Sequence, residues 1–158
     1  MNSMKGIFIL LLSTFGLLYH SLLQDLPYPK KHYNVDPKGL AIQGYDPVSY
    51  FTKNQAEEGN SNISFNHKGI NYRFTSEANR KTFVANPEKY EPQYGGYCAY
   101  AMAEGEKVKI DPETFKIIEG KLYLFYNFGF TNTLKAWNKD EKNLHSKADQ
   151  AWINIVKQ

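Results

Sequence analysis

The stretch YRFTSEANRKTFVANPEKYEPQYGGYCAYAMAEG, residues 72–105, carries most of the signals that set the fold. It opens by closing an alternating run, Ile70, Tyr72 and Phe74, which matches Ile63 and Phe65 across Gly69. Alternation on both arms, with a glycine able to take positive φ between them, predicts a β-hairpin over 63–74. Ser76 then has the chemistry of a helix N-cap, and Glu77 places negative charge at the positive end of the helix. The spacing predicts a helix to about Asn86, with Phe83, Ala78 and Thr82 on its inner face. Pro87, and the restriction on the residue before it, end that helix. The PEKY segment (87–90) suits one further helical turn. Gly95-Gly96 reads as a tight turn, and Tyr97 to Glu104 as a short helix of Ala and Met with Gly105 as its C′ residue. Because Tyr and Cys alternate with Ala there, a strand is the other reading.

Upstream, GYDPVSYF (44–51) reads as a turn at Asp46-Pro47 followed by a short strand, since Val48, Tyr50 and Phe51 have β-propensity. Residues 52–62 are polar and suit a surface loop. Downstream, TFKIIEGKLYLFY (114–126) predicts a second hairpin across Glu119-Gly120, with Phe115 and Ile117 on one arm and Leu122, Leu124 and Tyr126 on the other. Leu134, Trp137, Leu144, Ala148, Trp152 and Ile155 recur at three- and four-residue spacings. They predict a C-terminal helix, or a pair broken near Asn138, with its Trp face over the sheet. The class is α+β: a small antiparallel sheet built from two hairpins, with a short central helix and C-terminal helices packed on it.

A chain of 158 residues has room for one domain, and a 42% hydrophobic content supports a packed core. The net charge of +3 is spread with the signs interspersed, so no basic stripe tracks a phosphate backbone and nucleic-acid binding is disfavoured. Lys5 followed by the apolar run 7–18 (IFILLLSTFGLL) reads as an export signal. Residues 1–23 are expected to be a signal peptide or an N-terminal membrane anchor, with a tether through 7–23 where the segment is not cleaved. The Pro- and charge-rich segment 24–39 reads as a linker and 40–158 as the domain. The expected location is the periplasm or cell envelope. A single cysteine, Cys98, excludes an intramolecular disulfide.

Three stretches read together, GYDPVSYF (44–51), residues 72–105 and EGKLYLFYN (119–127), resemble the YHS domain family in its small exported branch. A trailing ADQAWINI (148–155) fits the same branch. The resemblance implies the fold above and, through the family's metal-linked members, an association with metal handling. In those members a cysteine follows the Asp-Pro-Val turn and two more bracket the helix start. Here Ser49, Thr75 and Asn79 stand at those places. Hydroxyl and amide groups are poor ligands for soft ions, so the fold carries over and that metal site does not.

Three candidates for chemistry remain. In the first turn of a helix Cys98 would feel the positive dipole end, and Met102, four residues on, would share its face. Together they offer two soft ligands to a copper ion, with His67 as a third. The more common state of a free cysteine is a packed core thiol, and Cys98 reads first as that; a reactive thiol, with no resolving partner in the chain, is the third reading. The tyrosines Tyr45, Tyr50, Tyr72, Tyr90, Tyr94, Tyr97 and Tyr100 form either a hydrogen-bonded core or a pocket. Tyr94 and Tyr97, flanking Gly95 and Gly96, are the ones placed to face a ligand or partner. His67 and His145 read as solvated surface histidines. No nucleophile elbow, triad order, phosphate-cradling loop or zinc spacing occurs, so the expectation is a binding module and not an enzyme. It serves either auxiliary copper binding or, without metal, docking of an unknown protein or small ligand on a Tyr-rich surface.

Overall fold

The computed structural model describes residues 30–158. The stretch expected to be an export segment, and the expected linker up to residue 29, lie outside the described residues. Among the described residues no helix is long and apolar enough to cross a membrane.

The fold is α+β. Strands β1 (Asn60–His67) and β2 (Ile70–Phe74) form the first hairpin, closed by Lys68 and Gly69 at φ 50 and 80. Its inner face is Ile63, Phe65 and His67 against Ile70, Tyr72 and Phe74, as the alternation requires. β3 (Asp111–Ile118) and β4 (Lys121–Phe125) form the second hairpin across Glu119-Gly120. The two hairpins do not merge into one sheet; each is a two-stranded ladder, joined to its surroundings by isolated bridges such as Pro92 to Leu122. A third hairpin, β5 (Asn127–Phe128) with β6 (Thr131–Asn132), was not foreseen, and it leaves Phe130 at its tip fully exposed.

GYDPVSYF keeps the expected turn at Asp46-Pro47, but no strand follows it. It folds into a 3₁₀ turn at Ile42–Gly44 and then a helical turn, α1 (Ser49–Thr52). The cause is local: Asp46 Oδ1 accepts from the Val48 N–H at 2.8 Å and winds the chain into α1. That bond overrides the β-propensity of Val48 and Tyr50, which still reach the core.

Helix α2 (Glu77–Ala85) starts at Ser76, whose hydroxyl accepts from the Asn79 N–H at 3.1 Å, and stops at Asn86 before α3 (Pro87–Tyr90). Phe83 is its buried residue, while Ala78 and Thr82 face solvent. The inner face turns toward Asn79 instead, because Asn79 is drawn in by a buried carboxylate. The helix expected over 97–104 shortens to α4 (Ala99–Met102). It ends as a Schellman motif, Gly105 N–H to Met102 O at 2.9 Å and Glu106 N–H to Ala101 O at 3.1 Å. The C-terminal helices α5 (Thr133–Trp137) and α6 (Glu141–Val156) break at Asn138–Asp140 as the pattern requires.

β4 divides the core. Leu122 and Leu124 pack with Tyr50, Tyr72, Phe74, Phe83 and Cys98 on one side. Tyr123 and Phe125 pack with Met102, Trp137 and Ala148 on the other.

Candidate functional site

Ser49, Thr75 and Asn79, the positions that the resemblance singled out, lie around one buried carboxylate. Asp46 is 0% exposed. Its Oδ2 accepts from the Thr75 N–H and the Thr75 hydroxyl, both at 2.8 Å, and from the Asn79 amide at 2.7 Å. The Asn79 amide also donates to Thr75 Oγ1 at 3.1 Å, and Asp46 Oδ1 is held by Val48. Ser49 is fully buried on the adjoining turn. The carboxylate therefore sits at the N-terminal end of α2, where the helix dipole favours negative charge. Its acceptor positions are occupied by the protein's own donors. Such a closed set joins the 46–52 turn to the α2 start across about thirty residues of chain; it does not present lone pairs to a ligand. The sequence reading treated Asp46 as a turn former, which it is, and missed that it also ties Thr75 and Asn79. The signal available was the presence at one helix start of two side chains, Thr75 and Asn79, that can donate to a carboxylate.

Cys98 and Met102 are not brought together as a pair of ligands. Cys98 precedes α4 with φ −58 and ψ 119, so it is not helical and the four-residue face rule does not connect it to Met102. Its side chain enters the first core half and Met102 the second. The sulfur is enclosed and engaged: the Tyr126 N–H donates to it at 3.4 Å, and Thr133 Oγ1 lies 3.4 Å away. Thr133 sends its own hydroxyl proton to the Tyr126 carbonyl at 2.9 Å, which leaves the thiol as the donor in the Cys98–Thr133 pair. His67, the suggested third ligand, stacks on Phe65, contacts Phe83 and lies 3.8 Å from Glu91. It is half-buried and not a solvated histidine. Neither is His145, whose Nε2 meets the Tyr123 hydroxyl at 2.8 Å. Among the described residues no three His, Cys, Asp or Glu side chains gather as a metal site would gather them.

Around Tyr94–Tyr97 the close backbone approach expected of the glycine pair is present, but the approaching group is the chain itself. The Asn34 N–H donates to Gly95 O at 2.8 Å and the Asn34 amide to Gly96 O at 2.9 Å. A Cβ on Gly95 (φ 61) would lie 2.1 Å from His32 O, so glycine is required there. Residues 31–39, read as linker, thus pack on the domain, with His32 buried against Trp152. Burial, and then Lys107 and Lys31, push the His32 imidazole below its usual value. Tyr94 is buried, and Tyr97 donates from its hydroxyl to Tyr33 O at 3.2 Å. Beside them a cleft of about 150 Å³ remains open, lined in part by Tyr33, Glu91 and Trp152.

The remaining tyrosines mostly form a hydrogen-bonded core. Tyr50 donates to Pro112 O at 2.9 Å, Tyr72 to Glu91 at 3.2 Å and Tyr94 to Asp149 at 2.8 Å. Burial is the main cause that raises the phenols of all three. Burial also pushes Tyr123 up to about 12. None of the four serves as a base near neutral pH.

Comparison with family models, curated proteins and solved structures finds no match to this chain.

Proposed function

We propose that this chain is an exported, non-enzymatic binding module of the YHS type that works without a metal ion. The observation that carries the reading is the state of the Cys98 sulfur. It accepts from the Tyr126 N–H, gives its proton to Thr133 and lies on the opposite side of the core from Met102. A soft ion would have to displace both partners and draw in a thioether from across β4. The closed Asp46 set supports the same reading, because at two of the three positions where the resemblance implies cysteines, Thr75 and Asn79 donate to a buried carboxylate. The module is expected in the periplasm or cell envelope, free or tethered through residues 7–23, where it holds a protein or small-ligand partner.

The opposing reading is auxiliary copper binding at Cys98. Metal analysis of the purified full chain, with Cu(I) competition on it and on Cys98→Ser, separates the two. The metal-free module predicts no stoichiometric metal and equal Cu(I) affinity for both proteins. Tight Cu(I) binding that Cys98→Ser abolishes would establish copper handling instead. Alkylation of Cys98 in the folded chain gives a second readout, and an enclosed sulfur should react only as fast as the protein opens.

A further inference from the structure

We propose that the cleft between residues 36–40 and the outer face of the first hairpin binds an oxyanion, the phosphate or carboxylate group of a small ligand, with Arg73 as its anchor. The inference is independent of how Cys98 is read.

The hairpin's alternation puts its apolar side chains inward and leaves Ser64 opposite Arg73, and Asn66 opposite Asn71, on the outer face. The segment 36–41 runs along the free edge of β2 beside that face: the Ala41 N–H donates to Asn71 O at 2.9 Å, and the Asn71 N–H to Gly39 O at 2.8 Å. Between segment and hairpin lies a cleft of about 330 Å³, lined among others by Lys38, Ser61, Ser64 and Arg73. That is at the lower end of small-ligand sites, which run ~300–1,000 Å³.

Arg73 differs from the other half-buried cations among the described residues. Arg80 is held by Glu77 at 2.8 Å and Lys116 by Glu141. Arg73 is half-buried, yet its guanidinium has no hydrogen bond or ion pair with a described residue. It is also held in place. A Cβ on Gly59 would lie 2.7 Å from the Arg73 backbone carbon and Cβ, and one on Gly44 3.4 Å from Nη1 and 3.5 Å from Cδ. Gly59 and Gly44 are themselves joined, N–H to O at 2.9 Å. The arginine stem therefore lies against two stretches of backbone that carry no side chain. Its fork of donors is laid out before a ligand arrives, which reduces the entropy lost on binding.

The surroundings suit one anionic group. Lys38 adds a second positive charge, and the hydroxyls of Ser61 and Ser64 add donors. The Asn71 amide is already used, by Lys38 O at 2.9 Å and Asn66 at 2.7 Å. Asp36 is the acid of the lining, and its Oδ1 is turned into its own loop by the Lys38 and Leu40 N–H groups, each at 2.8 Å. Two cations against one such acid leave the cleft positive. Planar Arg–oxyanion pairing is the geometry that a guanidinium fork recognises best.

The test is an amide NMR titration of the full chain with inorganic phosphate and, separately, with acetate, at ionic strength fixed with chloride. Saturable shifts centred on Lys38, Ser61, Ser64 and Arg73 are expected with at least one anion. Which one saturates at lower concentration distinguishes a phosphate-bearing ligand from a carboxylate. Arg73→Gln should weaken binding about tenfold or more, and Arg73→Lys less, because charge without the fork retains part of the pairing. Lys38→Gln, at an exposed position, should weaken it a few-fold and serves if Arg73→Gln does not fold. Absence of saturation with both anions, or binding unchanged in Arg73→Gln and Lys38→Gln, overturns the proposal.

Discussion

Strand β4 has a core half on each of its faces, and the two halves handle polar groups in opposite ways. On the Leu122–Leu124 side a carboxylate lies at the centre. Asp46 is wholly buried, with four hydrogen bonds from Val48, Thr75 and Asn79 and no cation among these donors. On the Tyr123–Phe125 side the interior is apolar and aromatic, and polar atoms appear only at its rim. Tyr94 reaches Asp149, Tyr123 reaches His145 and Trp137 Nε1 reaches Glu141 at 3.0 Å, all partners on α6. A buried charge without its donors is heavily penalised, whereas a rim hydroxyl that loses its partner can turn to water. The first half should therefore be held all or none by a few residues. The second should yield gradually.

The largest test of this contrast is Asp46→Ala. It strips the acceptor from the Thr75 N–H, the Thr75 hydroxyl and the Asn79 amide together and leaves a small void. A loss of about 2–4 kcal/mol is expected, since buried donors left without their acceptor cost ~1–3 kcal/mol each. Urea unfolding followed by tryptophan fluorescence measures it. A loss under about 1 kcal/mol would mean that the carboxylate is not the centre of its half.

Tyr94→Phe probes the other half at smaller scale. It deletes a hydroxyl bonded to Asp149 at 2.8 Å but keeps the ring packed on Tyr123 and Trp152. The Asp149 side chain is 56% exposed and regains water, so the loss should be about 1 kcal/mol. Combined with Asp46→Ala it should be additive, since the two sites share no partner. A coupling above about 0.5 kcal/mol would show that β4 transmits strain between the halves.

The difference between the halves also explains what could be read from the sequence. Local periodicity carried the hairpins, because Ile63, Phe65, Ile70, Tyr72 and Phe74 alternate whatever they later touch. The Ser76 cap, the Pro87 stop, the Gly105 C′ position and the break near Asn138 were legible for the same reason. The misreadings have different causes. GYDPVSYF looked like a strand because its β-propensity was weighed without the equally local bond from the Val48 N–H to Asp46 that winds it into α1. Residues 31–39 looked like a linker because the Gly95 carbonyl that receives Asn34 lies some sixty residues away. Cys98 and Met102 looked like neighbours because a four-residue spacing implies one face only where both residues are helical. The candidate site was thus visible as three positions, Ser49, Thr75 and Asn79, but not as the carboxylate they surround.

The smallest expected effect concerns the rim itself. A hydrogen bond from the Lys116 ammonium, helped by the Trp137 Nε1–H, holds the Glu141 carboxyl below its ordinary value of 4.5. A carboxyl with a lowered folded value stabilises the protein fully above the ordinary value. It loses that contribution as pH falls through the lower folded one. Both side chains are about a third exposed, at 36% and 34%, so water screens the pair and its share should stay below about 1 kcal/mol. The urea midpoints of the natural chain and of Glu141→Gln should therefore differ slightly at pH 6 and converge as the pH falls below 4.5. Glu141 borders Trp137, the largest buried side chain of its half. If Glu141→Gln lowered the midpoint as far as Asp46→Ala, the rim would be holding the aromatic half as tightly as a buried charge holds the other, and the contrast drawn across β4 would fail.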